Sequence, residues 1–267
     1  INAFCYSEQQ GFLDFFYGLD DIQSKVIRCI GNPYKRFDED ALRILRAVRF
    51  AGQLNFSIEE ETSKAILELK DTLSYVSMER INEEFTKFIS SRNCSSLFHP
   101  YLSVFAVFLP ELSHLPISEK ELLAKRLAHA RKEKEIRLAV LLSSSCFENP
   151  RLILKRMKYS NHEINTVSQL ITHRKAPVNS LLDIRNLKKE LSVPVTTYLS
   201  YREALDLCNY PQAFLYSKQI EEENLCCTLK QLAVNGNDLM QLGIKGKKIS
   251  EAEIRAYALD KRHYQGA

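Results

Sequence analysis

No apolar run in the sequence approaches the roughly 18 residues that a membrane-crossing helix needs, which excludes a helical span and a membrane partner of that kind. The chain opens Ile1-Asn2-Ala3-Phe4, with neither an initiator Met nor a basic segment ahead of an apolar one, so no secretory signal is expected. Its seven cysteines (Cys5, Cys29, Cys94, Cys146, Cys208, Cys226, Cys227) are odd in number, scattered and without metal spacing. They read as reduced thiols of a cytoplasmic protein, mostly packed as small hydrophobes. The six histidines (His99, His114, His129, His162, His173, His263) include no His-Asp pair and no ligand spacing, which argues against a metal-dependent phosphohydrolase site. Charge of one sign is also scarce. A net charge of +4 permits an RNA partner without arguing for one, so local clusters carry the reading.

What remains is an ordinary globular composition, 45% hydrophobic and 26% charged, over 267 residues. That length suffices for one large domain or two to three small ones. Helical periodicity dominates, and it is most informative over residues 36–50, Arg-Phe-Asp-Glu-Asp-Ala-Leu-Arg-Ile-Leu-Arg-Ala-Val-Arg-Phe. At 100° per residue, Ala41, Ile44, Leu45 and Val48 share one face, which must be buried. Arg36, Asp40 and Arg43 gather opposite, and Arg46 and Arg49 continue from there as a basic row. Asp38 or Glu39 is expected at the N-cap or in the first turn, where the helix dipole favours a carboxylate.

An Asp and an Arg one turn apart suit a nucleobase edge. The carboxylate accepts from an exocyclic amine while the guanidinium donates to a ring nitrogen or carbonyl. Cytosine and adenine both present an amine beside an acceptor nitrogen; uracil and guanine present a carbonyl beside a ring N–H. Such a site rejects the wrong base by leaving polar groups unpaired, so it would select C and A together. On an arbitrary helix the same two side chains are a surface ion pair worth only about 0.2–0.5 kcal/mol.

The pattern Arg-Phe-x-Glu-Asp-x-Leu-Arg-x-x-Arg-Ala-x-Arg-Phe, followed by Leu54, Phe56 and Ile58, resembles the neck helix of class II tRNA nucleotidyltransferases. These are the CCA-adding enzymes and the related bacterial poly(A) polymerases. The resemblance implies that Asp40 and Arg43 pair with the incoming CTP or ATP and that Arg46 and Arg49 support nucleotide binding, with Glu39 beside them. It further implies a mainly α fold: an elongated multi-helix neck, body and tail behind a short β/α remnant of the catalytic head.

Taken in order, residues 1–31 resemble the end of that head. Ile1-Asn2-Ala3 resembles the close of a motif that helps hold the nucleotide, which gives Asn2 a binding role. Phe12 to Gly18 reads as a short aromatic strand and turn, and Asp21 as the cap of a short helix leading to Val26-Ile27-Arg28-Cys29-Ile30. Asp14, Gly18 and Asp21 resemble the family's flexible motif between head and neck. Two unpartnered strands do not make a stable sheet, so the rest of it is expected upstream. The family's Mg²⁺-binding Asp-x-Asp is also expected upstream, leaving this chain inactive alone. Asp38 and Asp40, read as a helix start, would diverge by about 200° and make no metal site.

Residues 32–95 are the expected neck. Ser57-Ile58-Glu59-Glu60 reads as a capping box for a helix reaching about Leu69, and Ser77 as the cap of a third helix. Ser77-Met78-Glu79-Arg80-Ile81 with Glu84 resembles the family's next motif, with Glu79, Arg80 and Glu84 bracing the nucleotide helix. In the body, residues 96–175, Leu97–Leu109 reads as one buried helix ending at Pro110. Glu121–Leu142 reads as an amphipathic helix with basic residues Lys125, Arg126, Arg131, Lys132, Lys134 and Arg137. A further basic cluster, Arg151, Lys155, Arg156 and Lys158, is either a solvated face or a phosphate track. In the tail, residues 176–267, Leu232–Leu239 and Gly243–Ile249 resemble the family's tail motif. Lys245, Lys247 and Lys248 beside glycines would meet RNA phosphate there, or the segment is a plain inter-helix loop. From Glu251 the sequence departs from the family. The function implied is template-independent addition of CMP and AMP to tRNA, with Mg²⁺, ATP, CTP and tRNA as partners. Three other readings stay open: an A-only polymerase, a non-catalytic tRNA-binding module, and a helical scaffold that carries the motif by chance.

Overall fold

The structure is a computed structural model that describes residues 4–9, 11–225, 227 and 240. Asn2, the segment Leu232–Ile249 with Lys245, Lys247 and Lys248, and His263 lie outside the described residues. Mainly α is what the chain adopts: fourteen α-helices and four short strands among the described residues. It divides into two compact units, Ile1–Ile171 with Ala204–Leu207, and Thr172–Glu203 with Cys208–Ala267.

The first unit opens with a hairpin, β1 (Phe4–Ser7) antiparallel to β2 (Gly11–Asp14). Helix α1 (Gly18–Ser24) follows. Its first N–H groups are taken by Asp14, which accepts from Gly18 and Leu19 at 2.9 Å each, whereas Asp21 lies inside the helix and pairs with Arg28 at 3.1 Å. The capping role expected of Asp21 therefore belongs to Asp14, because a carboxylate outside the helix can face the free N–H groups. Gly18 is required for space, since a Cβ there would sit 2.9 Å from the Phe4 ring.

The strand β3 (Val26–Ile27) does have a partner, and it is downstream. It pairs in parallel with β4 (Ser57–Ile58), with Ile27 opposite Ile58. Between them run α2 (Pro33–Glu39) and α3 (Leu42–Leu54). The single helix expected from Arg36 onward is two helices. Asn32 caps α2 by accepting from the Lys35 N–H at 3.1 Å, with Pro33 at the first helical position, and the helix ends at Asp40, whose backbone is extended. Asp38 and Glu39 thus occupy the last turn of α2, not a first turn.

Asp40 also starts α3. Its Oδ1 accepts from the Leu42 N–H at 3.2 Å and its carbonyl from the Arg43 N–H at 3.1 Å. The break turns Phe37 of α2 and Leu42, Ile44, Leu45 and Val48 of α3 into the same core. Ser57 is not a cap, since it belongs to β4. Helix α4 (Glu60–Leu69) is capped instead by Glu59, which accepts from the Thr62 N–H at 2.9 Å. A turn of 3₁₀ helix, Lys70–Tyr75, leads to α5 (Met78–Ile89). Ser77 holds the N-cap position of α5 without a side-chain hydrogen bond. Helices α3 and α5 pack closely: a Cβ on Gly52 would lie 2.5 Å from the Ser91 hydroxyl.

The stretch Leu97–Leu109 is mostly buried, with His99, Pro100 and Ser103 exposed, and it is not one helix. It divides between α6 (Cys94–Phe98) and α7 (Leu102–Phe105), and a 3₁₀ turn, Pro110–His114, follows. Breaking it lets Phe98, Phe105 and Phe108 meet Phe85 and Phe88 of α5, with Phe88 and Phe105 ring centroids 4.8 Å apart. The basic segment is likewise two helices, α8 (Ile117–His129) and α9 (Lys134–Leu142). Arg137 is 3% exposed and donates to the carbonyls of Ile89, Ser91 and Ala130, closing the C-terminus of α5. Next come α10 (Pro150–Arg156) and α11 (Asn161–Thr172). Asn82 of α5 donates to the Met157 carbonyl at 2.6 Å, and Thr86 meets the Tyr159 hydroxyl at 2.9 Å.

The helices of the second region are α12 (Leu181–Glu190), α13 (Val195–Asp206) and α14 (Pro211–Glu222). Ser180 and Asp183 form a reciprocal capping box on α12, which packs against α14. The Tyr198 hydroxyl donates to the His173 carbonyl at 2.8 Å.

Candidate functional site

Asp40 and Arg43 flank the α2–α3 break. Their side chains do not bond each other. Arg43 donates to Glu39 at 2.7 Å and to the Arg36 carbonyl at 2.8 Å; Asp40 is held by Arg80 at 3.3 Å. The reading of both on one helix face is therefore corrected, because Asp40 lies outside α3 and its side chain turns to α5. Glu39 also takes Arg36 at 2.7 Å. Its carboxyl is held below the usual range, first by the Arg43 hydrogen bond, with Arg36 adding to it.

The two residues border different cavities. Arg43 and Arg46 line one of about 310 Å³ with Arg28, Arg36, Phe37 and Phe50. Four guanidiniums line a half-open space with aromatic walls. Three of them carry carboxylate partners: Arg28 pairs with Asp21 and Glu59, while Arg36 and Arg43 share Glu39. Arg46 has no hydrogen bond or ion pair among the described residues and sits 5.9 Å from the Phe50 ring centroid. Asp40 borders a second cavity of about 400 Å³ with Asp38, Glu39, Tyr75, Ser77 and Arg80.

Arg49 lines neither. It forms an ion pair with Glu84 at 2.6 Å, donates to Gln53 at 2.9 Å and lies 3.8 Å over the Phe50 ring. Glu79 is exposed, 3.9 Å from Lys158. Arg151 and Lys155 are exposed on α10, whereas Arg156 is held by Glu111 through two bonds of 2.9 and 2.8 Å. Arg126, from the other basic segment, donates to the Leu205 carbonyl at 2.7 Å. Arg28 is a site residue that sequence reasoning did not single out. It reaches the cavity only because β3 pairs with β4, and no local pattern announces it.

Comparison with known proteins places these features in a family. Residues 55–115 match a family model described as "Probable RNA and SrmB-binding site of polymerase A", and residues 128–253 match a model of tRNA nucleotidyltransferase domain 2. The chain is 30% identical over 268 residues to the CCA-adding enzyme of Bacillus velezensis, covering 96% of this chain and 64% of that one. It is 33% identical over 254 residues to the CCA-adding enzyme of Streptococcus mutans, covering 90% and 60%. The chain belongs to the class II, bacterial-type CCA-adding enzyme family.

It spans about two thirds of the length of these curated CCA-adding enzymes, 64% for the Bacillus velezensis protein. Among solved structures it shares the fold of the Bacillus stearothermophilus CCA-adding enzyme, described in complex with CTP. The TM-score is 0.74 at 23% identity, over 99% of this chain and 67% of that one. The Thermotoga maritima CCA-adding enzyme, described as complexed with tRNA, gives a TM-score of 0.64 at 18% identity, over 96% and 64%.

Proposed function

We propose that this chain provides nucleotide selection and tRNA binding for CCA addition, the template-independent transfer of CMP and AMP from CTP and ATP to a tRNA 3′ end in the cytoplasm. The observation that carries the reading is the arginine-lined cavity at the α2–α3 break, with Arg46 unpaired in it and Asp40 across the break. Guanidiniums bind phosphate oxygens in pairs, so Arg46 and Arg36 hold the triphosphate while Phe50 packs against the sugar and base. Asp40 and Arg43 then meet the base edge, accepting from the amine and donating to the ring acceptor. Glu39 and Arg80 position those two side chains, and Glu84 positions Arg49. By family, Asn2 serves nucleotide binding, and Lys245, Lys247 and Lys248 serve binding of RNA phosphate. The neck, body and tail divide near residues 32–95, 96–175 and 176–267.

Mg²⁺ supplies Lewis-acid activation of the RNA 3′ hydroxyl in such transfers. The described residues do not fit it: they contain no group of three or more His, Cys, Asp or Glu able to hold a metal ion. Asp40 is engaged by Arg80 and the Leu42 N–H, so no step is routed here through a metal.

Equilibrium binding of labelled CTP and ATP to the full chain, with UTP and GTP as competitors, tests the reading. CTP and ATP are expected to bind at least about tenfold more tightly than UTP and GTP, the value of one or two charge-assisted hydrogen bonds. Equal binding of all four overturns the base-selecting role. Binding of ATP with no binding of CTP would place the chain with the A-only polymerases.

A further inference from the structure

The second cavity differs in chemistry from the arginine-lined one. Tyr75 stands at it 90% exposed, the most exposed large apolar side chain among the described residues. Its backbone is nevertheless fixed. Tyr75 ends the 3₁₀ turn in which Leu73 is fully buried, Thr72 Oγ1 donates to the Leu69 carbonyl at 2.6 Å and Ser74 Oγ donates to the Asp71 carbonyl at 2.7 Å. The Val76 N–H donates to the Leu73 carbonyl at 3.0 Å and closes the turn. A flat ring held out from a rigid turn loses little entropy when something stacks on it.

The charge of the cavity says what that is. Asp38 and Asp40 stand there with a single guanidinium, Arg80, and Glu39 adds a carboxylate already shared by Arg36 and Arg43, so a triphosphate finds its cations in the neighbouring cavity. A nucleobase carries no formal charge and has a π-face. Its edge has partners at hand besides Asp40, which reads the incoming base: the Arg80 guanidinium and the Ser77 hydroxyl, which caps nothing. About 400 Å³ is room for one base with its sugar. Because Asp40 borders this cavity and Arg43 the other, the two occupants would be adjacent nucleotides.

We infer that Tyr75 is a stacking platform for the 3′-terminal base of the acceptor RNA, which lies beside the incoming nucleotide with its edge on Arg80 and the Ser77 hydroxyl. This rests on the function proposed above. Stacking accounts for acceptance of different terminal bases, since every base presents a π-face, and the RNA phosphates stay outside the acidic wall.

The test uses the full chain and an RNA hairpin with a single-stranded 3′ overhang carrying 2-aminopurine, either as the last base or as the third from the end. Terminal 2-aminopurine is expected to lose fluorescence on binding, and the inner probe far less. Tyr75→Ala should restore the terminal signal and weaken binding of the overhang about tenfold, the size of one lost base–aromatic stack. Tyr75→Phe should behave as the parent. The exposed position leaves folding intact, which circular dichroism checks. If Tyr75→Ala binds RNA and quenches the terminal probe like the parent, the platform is wrong and the tRNA reading stands. If the parent binds no hairpin at low salt, the tRNA reading fails and the platform falls with it.

Discussion

Arg49 and Glu84 meet at 2.6 Å across α3 and α5 with side chains only 11% and 10% exposed. The contact lies off the hydrogen-bond direction, so it is charge that joins the two helices. Removing one partner strands the other in a low-dielectric site. Arg49→Ala is expected to lower unfolding stability by about 3–5 kcal/mol, and the paired change Arg49→Met with Glu84→Leu to recover most of it. Urea denaturation reads this. A stable Arg49→Ala that loses only nucleotide affinity would return Arg49 to direct contact with substrate.

Asp40→Ala and Arg43→Ala are each expected to relax choice of C and A over U and G in a full-length family member. The loss is about tenfold to a hundredfold per residue, the worth of a hydrogen bond to a charged group. Misincorporation ratios on tRNA lacking its terminal A measure it. Weaker nucleotide binding with unchanged ratios would remove the base-reading role from that residue.

On α10, Arg151 and Lys155 are free to follow phosphate, but Arg156 is taken by Glu111. Binding of tRNA lacking CCA across a salt series should show a falling log–log line. Arg151→Ala and Lys155→Ala should each flatten its slope by about 0.7–0.9. Arg156→Ala should leave the slope alone and cost at most about 1 kcal/mol of stability, as a half-exposed pair does. A slope that responds to Arg156 and not to the other two would reverse the assignment.

Asp14 has a carboxyl held below the usual range, first by the Leu19 N–H, then by the Gly18 N–H. A depressed folded value stabilises the folded state above the ordinary aspartate pKa and is lost as pH falls through the folded value. The α1 cap is therefore expected intact above the ordinary aspartate value of about 3.9 and released only as pH falls through the lower, folded value. A carboxyl-carbon NMR titration should place the Asp14 midpoint under that of an unfolded peptide. A midpoint at or above the peptide value would mean that the cap is not formed.

Burial pushes the Cys94 thiol up to about 11, against the opposing pull of Arg137, and burial also pushes Cys146 up to about 11. Cys5 and Cys208 are exposed. Iodoacetamide at pH 8 should therefore label Cys5 and Cys208 well before Cys94, with mass spectrometry locating the adducts. Early labelling of Cys94 would show that the Arg137 knot opens readily.

Sequence alone determined what depends on neighbours a few residues apart. The apolar positions Ile44, Leu45 and Val48 are buried as their spacing requires, α4 ends at Leu69, and α5 begins after Ser77. The motif around Asp40 and Arg43 pointed to the family, because its polar residues stand at fixed intervals that packing does not demand. Tertiary structure decided the rest. Periodicity cannot show that a helix stops at Asp40, whose carboxylate meets Arg80, forty residues on. Nor can it show that Ile27 pairs with Ile58, that Arg28 joins the arginine cavity, or that Arg137 leaves a basic face to bond Ile89 and Ser91. Helical spacing is a local property of the backbone, whereas the partner that neutralises a charge is chosen by whichever distant segment the core brings within reach.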